Sequence, residues 1–288
     1  MCGMKFPDYQ ADLWNSAIYN QILLAIGNHD VYDHNNDAPA DDYANRDYWA
    51  TAQEKYVKYI APHVANWGVV QPEGAGLNNY YPCYYYKDYD TTVGAETYTV
   101  AAVRLIVLDC MAFDAIQLSW LQSVLEDART NGYHVIIANH FVPAESQNDS
   151  DYEGFDTPFN SLDNKMTGSA YGFSYLPGMC EAVDAFINAG GVFICHLCGH
   201  MHYDLVGKLH SHPNQMYIAV GSANCGKTWQ DSPRISCTKF EDLFNLISID
   251  VHNKRLSVVR VGVDFDLWMR HRGTMTLDYN NRTLISTY

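Results

Sequence analysis

Basic residues are scarce in this chain. Eighteen Lys and Arg stand against 33 Asp and Glu in 288 residues, a formal net charge of −15. That balance argues against gripping a nucleic-acid duplex by neutralising its phosphates. An anionic substrate would have to be held by metal ions or by backbone donors. Long apolar runs are also missing: the longest are strand-sized, so nothing reads as a membrane-spanning helix and no membrane partner is expected. The opening stretch MCGMKFPDYQADLW has early Asp and Pro and no apolar centre, unlike a secretory leader. There is no low-complexity tract and no short-period repeat, which leaves out fibrous and solenoid architectures.

Cysteine is present, eight residues in all, but too thinly for a disulfide scaffold of this length. Cys110 follows RLIVLD and Cys195 closes GVFIC, positions that suit buried, reduced thiols. Cys195-His196-Leu197-Cys198 matches C-x-x-C without a second such pair. Positions i and i+3 of a strand face opposite ways, so a zinc or redox role is not expected of it.

What is there is an alternation of strand and helix patterns. QILLAI (21–26) is a continuous apolar run of the buried-strand kind. Residues 41–68 are largely helical, stopping near Pro62, and VAAVRLIVLD (100–109) is the next strand. Asp114 is placed to cap a helix with Leu118, Leu121, Leu125 and Ala128 on one face and Gly132 past its end. HVIIAN (134–139) is a strand. Residues 143 to 170 are polar and read as a surface insertion. A helix over 178–190 leads into strand GVFICHLC, then MYIAVGSA (216–223), then two alternating strands over 243–266. The closing segment from Trp268 carries no clear pattern. These elements predict a mixed α/β layered fold, and no linker rich in Pro, Gly or Ser divides it, so residues 1–288 are expected to form one domain.

Three of the apolar strands end in metal-type ligands. QILLAI runs into Gly27-Asn28-His29-Asp30, HVIIAN into Asn139-His140, and GVFICHLC into Gly199-His200-Met201-His202. In an open α/β sheet, ligands gather at the carboxyl ends of strands, so the three clusters are expected to share one crevice. A single histidine would be read as a core or surface residue; three clusters, each at the same end of a strand, would not.

GNHD, then NH after a strand, then GHMH, in that order, resembles the last three motifs of the calcineurin-like metallophosphoesterase superfamily. The resemblance runs from about residue 21 to the late hairpin. It implies two packed mixed β-sheets flanked by helices, a four-layer sandwich, and hydrolysis of small phosphomonoesters or phosphodiesters by a metal-activated hydroxide. It further implies Asn28, His140 and His200 as ligands of one metal and His202 as a ligand of its neighbour. His29 would protonate the leaving group or steady the transferring phosphoryl group, and Asp30 would orient His29. Nitrogen and carboxamide-oxygen donors suit Mn, Fe or Zn ions, and two such ions would supply the positive charge that the chain lacks.

The family's opening motifs, a strand ending in D-x-H and a strand ending in G-D with the metal-bridging Asp, have no counterpart. The chain contains no Gly-Asp dipeptide, and its one D-x-H, Asp250-Val251-His252, sits in the polar turn of the late hairpin. One ion would then have three ligands and the second only His202, so at most one metal is expected. Two readings follow: an N-terminally truncated hydrolase whose first strands are missing, or a degenerate relative kept for binding, for instance of glycans through its tyrosines. Intact GNHD and GHMH favour the first, since unused ligands would be free to drift. Tyr80, Tyr81, Tyr84, Tyr85, Tyr86 and Tyr89 are expected to belong to a half-buried strand more than to a stacking platform.

Overall fold

The protein's structure is a computed structural model that describes residues 23–27, 52–93, 98–144, 152–154, 173–200, 205–209, 211–220, 243–262 and 274–287. Helix α1 (Ala52–Lys55) passes directly into a π-helical turn (Tyr56–Ile60), and α2 (Val64–Trp67) stops at Gly68, which takes the left-handed φ of 61°. Strands β1 (Tyr85–Val93) and β2 (Tyr98–Val107) form an antiparallel pair. Then come α3 (Ala115–Asn131), β3 (His134–Ala138), β4 (Val142–Ala144), β5 (Tyr152–Gly154) and β6 (Phe173–Tyr175). After α4 (Met179–Asn188) follow β7 (Val192–Cys198), β8 (Leu205–Leu209) and β9 (Met216–Ala219). Two hairpins close the chain: β10 (Leu243–Asp250) with β11 (Arg255–Gly262), and β12 (Thr274–Asp278) with β13 (Thr283–Thr287).

The strands make a seven-stranded sheet in the order β1-β2-β3-β7-β9-β8-β5, a four-stranded antiparallel sheet β10-β11-β12-β13, and a small pair β4-β6. In the large sheet β2, β3, β7 and β9 run parallel. One face of it packs against α3 and α4, through Ile106, Val135, Ile137 and Phe193 from the strands and Leu121, Leu125, Val183 and Phe186 from the helices. The other face packs against the small sheet, where Ile136, Ile194 and Ile218 meet Leu256, Val258, Met275 and Leu277. The two-sheet α/β arrangement expected from the strand–helix alternation is therefore present.

Local chemistry accounts for α3. The Asp114 carboxylate accepts from the Gln117 backbone N–H at 2.8 Å, and Gly132 ends the helix with φ 75°. Such a cap contributes about 1 kcal/mol. Burial of Leu121 and Leu125 contributes roughly 1.5–3 kcal/mol each, so packing outweighs capping in holding α3 to the sheet.

Three expectations change. Leu23–Ala25 and Ile26 belong to no strand among the described residues: the Leu24 backbone N–H and C=O are both taken by the Tyr85 hydroxyl, at 2.9 and 2.7 Å, which leaves neither for a sheet partner. Within the expected polar insertion, Tyr152–Gly154 pairs with β8 at the sheet edge, because three backbone bonds need no apolar pattern. The closing segment forms the β12–β13 hairpin, with Met275, Leu277 and Tyr279 alternating inward. On the outer face of the four-stranded sheet Phe244 and Leu246 are exposed.

Candidate metal centre at the strand ends

Parallel pairing puts the ends of β2, β3 and β7 side by side. Val107 is opposite Ala138, and Ala138 is opposite Leu197. The ladder continues past the strands: Leu108 N–H donates to Ala138 O at 2.9 Å, Asn139 N–H to Leu197 O at 3.0 Å, and Gly199 N–H to His140 O at 2.9 Å. Buried Asn139 fixes the turn further, its side-chain amide donating to Phe141 O and its carbonyl oxygen facing Cys198 Sγ at 3.8 Å.

These ties bring His140 and His200 together. Nε2 of His140 lies 2.9 Å from Nδ1 of His200, with the rings 4.9 Å apart and near perpendicular. Phe141 stacks edge-on against His200 at 4.6 Å, walling one side of the pair with an apolar ring. His200 takes a left-handed φ of 62°, a conformation a non-glycine residue holds only when its surroundings enforce it.

The end of the 23–27 segment packs directly on this pair. Ile26 is buried and Gly27 stands so close to His140 that an added Cβ would meet its Nδ1 at 2.6 Å. Ile26 O faces the Cys110 thiol at 3.9 Å. Burial pushes the Cys110 thiol up to about 11 and raises Cys198 well above its usual range, so both stay protonated and unreactive at neutral pH.

Beside the pair, β2 ends in a buried carboxylate. Asp109 Oδ2 accepts from Lys55 Nζ at 2.8 Å, with both side chains buried, and Oδ1 accepts from Met111 N–H at 3.0 Å. Gln117 locks the backbone here, its carbonyl oxygen accepting from Asp109 N–H at 2.9 Å while its amide donates to Asp109 O at 3.1 Å. Through these bonds Asp109 anchors α1 to the end of β2.

Two imidazole nitrogens bound to one ion at about 2.0–2.1 Å, on neighbouring coordination positions, lie roughly 3 Å apart. His140 Nε2 and His200 Nδ1 are hydrogen-bonded to each other at 2.9 Å, one ring donating and the other accepting, and that separation is also close to the spacing of two ligands on one ion. Among the described residues no group of three or more His, Cys, Asp or Glu is arranged to hold a metal. Asn28, His29, Asp30 and His202 lie outside the described residues.

Other sequence candidates resolve as structure. Cys195 faces the small sheet and Cys198 the helices, so the C-x-x-C pair cannot share an ion. Asp250 accepts from the backbone and side chain of Asn253, closing the β10–β11 turn that also holds His252. Of the six tyrosines, Tyr84 and Tyr85 are buried, Tyr80, Tyr81 and Tyr86 are half-buried, with Tyr86 against the Arg104 guanidinium at 4.1 Å, and Tyr89 is exposed. The Lys55–Asp109 pair went unnoticed in the sequence; the signal was a lone carboxylate directly after an apolar strand. No protein-family model matches the chain, and no curated protein matches it either.

Proposed function

We propose that this chain is a metal-dependent hydrolase of small phosphoesters with a metallophosphoesterase-like sandwich fold. The observation that carries the reading is the 2.9 Å approach of His140 and His200 at the carboxyl ends of neighbouring parallel strands. Gly27, to which Asn28 is bonded, packs on the same imidazole. That contact supports Asn28 as the third donor, through its carboxamide oxygen.

A divalent Mn, Fe or Zn ion, when bound, supplies a Lewis acid toward a phosphoryl oxygen and a water acidified enough to attack at neutral pH. His140 and His200 would hold that ion, their rings crossed and Phe141 edge-on against them. His29 would donate a proton to the departing alkoxide, and Asp30 would orient His29. His202 would be a ligand of a second ion, and the sequence has no Gly-Asp motif to bridge the two, so one weakly held ion and slow turnover are expected. The net charge disfavours duplex nucleic acid as substrate.

A binding-only protein on the same fold is the competing reading, favoured by the absence of a Gly-Asp motif. Metal uptake separates them. Chelator-treated protein is dialysed against Mn, Fe or Zn, assayed for bound metal, and given a chromogenic phosphodiester. Uptake lost in His140→Ala and His200→Ala, with slow hydrolysis lost in His29→Ala, is the expected outcome. Metal content no higher than in the His140→Ala/His200→Ala double variant overturns the hydrolase.

A further inference from the structure

The 23–27 segment lies in neither sheet, yet it ends against the ring of His140. Something other than a β-ladder must hold it. A backbone N–H and C=O removed from water need partners, and at Leu24 both are met by a single atom. The Tyr85 hydroxyl donates to Leu24 O at 2.7 Å and accepts from Leu24 N–H at 2.9 Å. Only a group that is donor and acceptor at once can do this from one position. Burial raises the Tyr85 pKa, so the hydroxyl keeps the proton it donates.

Tyr85 is itself immobile. It is fully buried on β1, its ring lies 5.8 Å from that of Trp67, and it shares a cluster with Ile26, Ile60 and Val107. Three residues further along the segment, Gly27 leaves no room for a Cβ against His140. Ile26 between them is buried, with its carbonyl facing the Cys110 thiol. The path from Tyr85 to His140 is short and close-packed, so a shift at Leu24 has nowhere to be absorbed before it reaches the imidazole.

We infer that Tyr85 is a positioning residue: by clamping both backbone groups of Leu24 it sets the 23–27 segment, and through Gly27 the ring of His140, in the geometry that receives the metal. This rests on the proposed hydrolase reading for its purpose and not for its mechanics.

The test is Tyr85→Phe in the full chain, which keeps the packed ring and removes only the hydroxyl. Leu24→Ala is the control, since it trims packing while leaving both backbone bonds. Hydrogen exchange at the Leu24 amide, the His140 imidazole NMR signal at fixed pH, and the affinity for Mn or Zn are read together. In Tyr85→Phe, Leu24 exchange accelerates, the His140 signal moves, and metal affinity falls about tenfold, as for other partners that orient a ligand indirectly. In Leu24→Ala the His140 signal stays in place. Should Tyr85→Phe not fold, Leu24→Pro, which deletes the donor and keeps the tyrosine, is read through the His140 signal and the metal affinity.

Faster Leu24 exchange with an unmoved His140 signal overturns the inference, and so does unchanged Leu24 exchange. If the wild-type chain takes up no metal, the hydrolase reading fails on its own, while the Leu24 and His140 signals still decide the clamp.

Discussion

Gly27 and His140 are in such close contact that a methyl group on the glycine would lie 2.6 Å from Nδ1 and 2.7 Å from Cε1 of the imidazole. One of the two must move if the glycine is replaced. Gly27→Ala therefore turns His140 away from His200 or lifts the 23–27 segment. Overpacking of this sort costs about 1–3 kcal/mol. The expected pattern is a modest drop in urea midpoint with a disproportionate loss of metal binding. An alanine variant that retained wild-type metal affinity would show that the contact is slack.

Arg104 predicts a larger effect far from the site. Its guanidinium is buried, forks onto both oxygens of Asp88 at 2.7 and 2.8 Å, donates to Asp127 and to Val124 O, and lies between the Tyr86 and Tyr133 rings. Arg104→Met loses several charge-assisted hydrogen bonds, each contributing about 1.5–3 kcal/mol, with part of the loss offset because Asp88 and Asp127 keep access to water. Arg104→Lys keeps the charge but not the fork or the stacking, and should fall between Met and wild type. Denaturant unfolding of the three proteins gives the order directly.

Much of this was visible in the sequence, for identifiable reasons. Asp114 and Gly132 bracket α3 because capping chemistry is local, and His140 and His200 stood out because each follows an apolar strand. QILLAI looked like a strand on composition alone, but a strand also needs a free ladder, and a tyrosine 61 residues away occupies Leu24 instead. Asp109 drew no notice because its partner Lys55 is 54 residues distant and carries no motif. Met275, Leu277 and Tyr279 do alternate, so the last hairpin was legible and was passed over.

His196 makes stability depend on pH. It is fully buried on β7, donates from Nε2 to Gln215 Oε1 at 2.9 Å, and burial pushes its pKa down to about 4 from the usual 6.5. The unfolded chain thus binds a proton that the folded chain refuses. Stability from this group is complete above about pH 6.5 and drains away as pH falls toward the folded value. The full difference is on the order of 3 kcal/mol. Urea curves at pH 7 and pH 4 should show His196→Gln losing less stability on acidification than wild type does. Parallel losses in the two proteins would mean that His196 does not resist protonation.

The Lys55–Asp109 pair couples α1 to the end of β2. Asp109→Ala leaves a buried ammonium without its carboxylate and should destabilise by roughly 3–5 kcal/mol. Replacing both, as Lys55→Met with Asp109→Leu, removes the unpaired charge and should recover a large part of that loss. A double variant no better than Asp109→Ala would place the cost in the lost bond from Met111 N–H to the Asp109 carboxylate instead.

Metal stoichiometry is the sharpest test of the site. His140 and His200 present two nitrogens at a spacing that suits adjacent positions on one ion, and Asn28 would add a neutral oxygen. Three neutral donors hold a divalent ion without cancelling any of its charge, so affinity is modest and the ion stays strongly electrophilic. A second ion would have His202, and the sequence lacks the Gly-Asp motif that supplies the bridging carboxylate in the resembled family. Calorimetric titration of chelator-treated protein with Zn or Mn should therefore saturate at one ion per chain. Asn28→Ala should weaken that single event, and His140→Ala or His200→Ala should abolish it. Because ligand imidazoles must be unprotonated, binding also weakens on acidification. Two tightly held ions would mean that another carboxylate stands in for the bridging Asp. Binding that survives the loss of both histidines would place the metal elsewhere in the molecule.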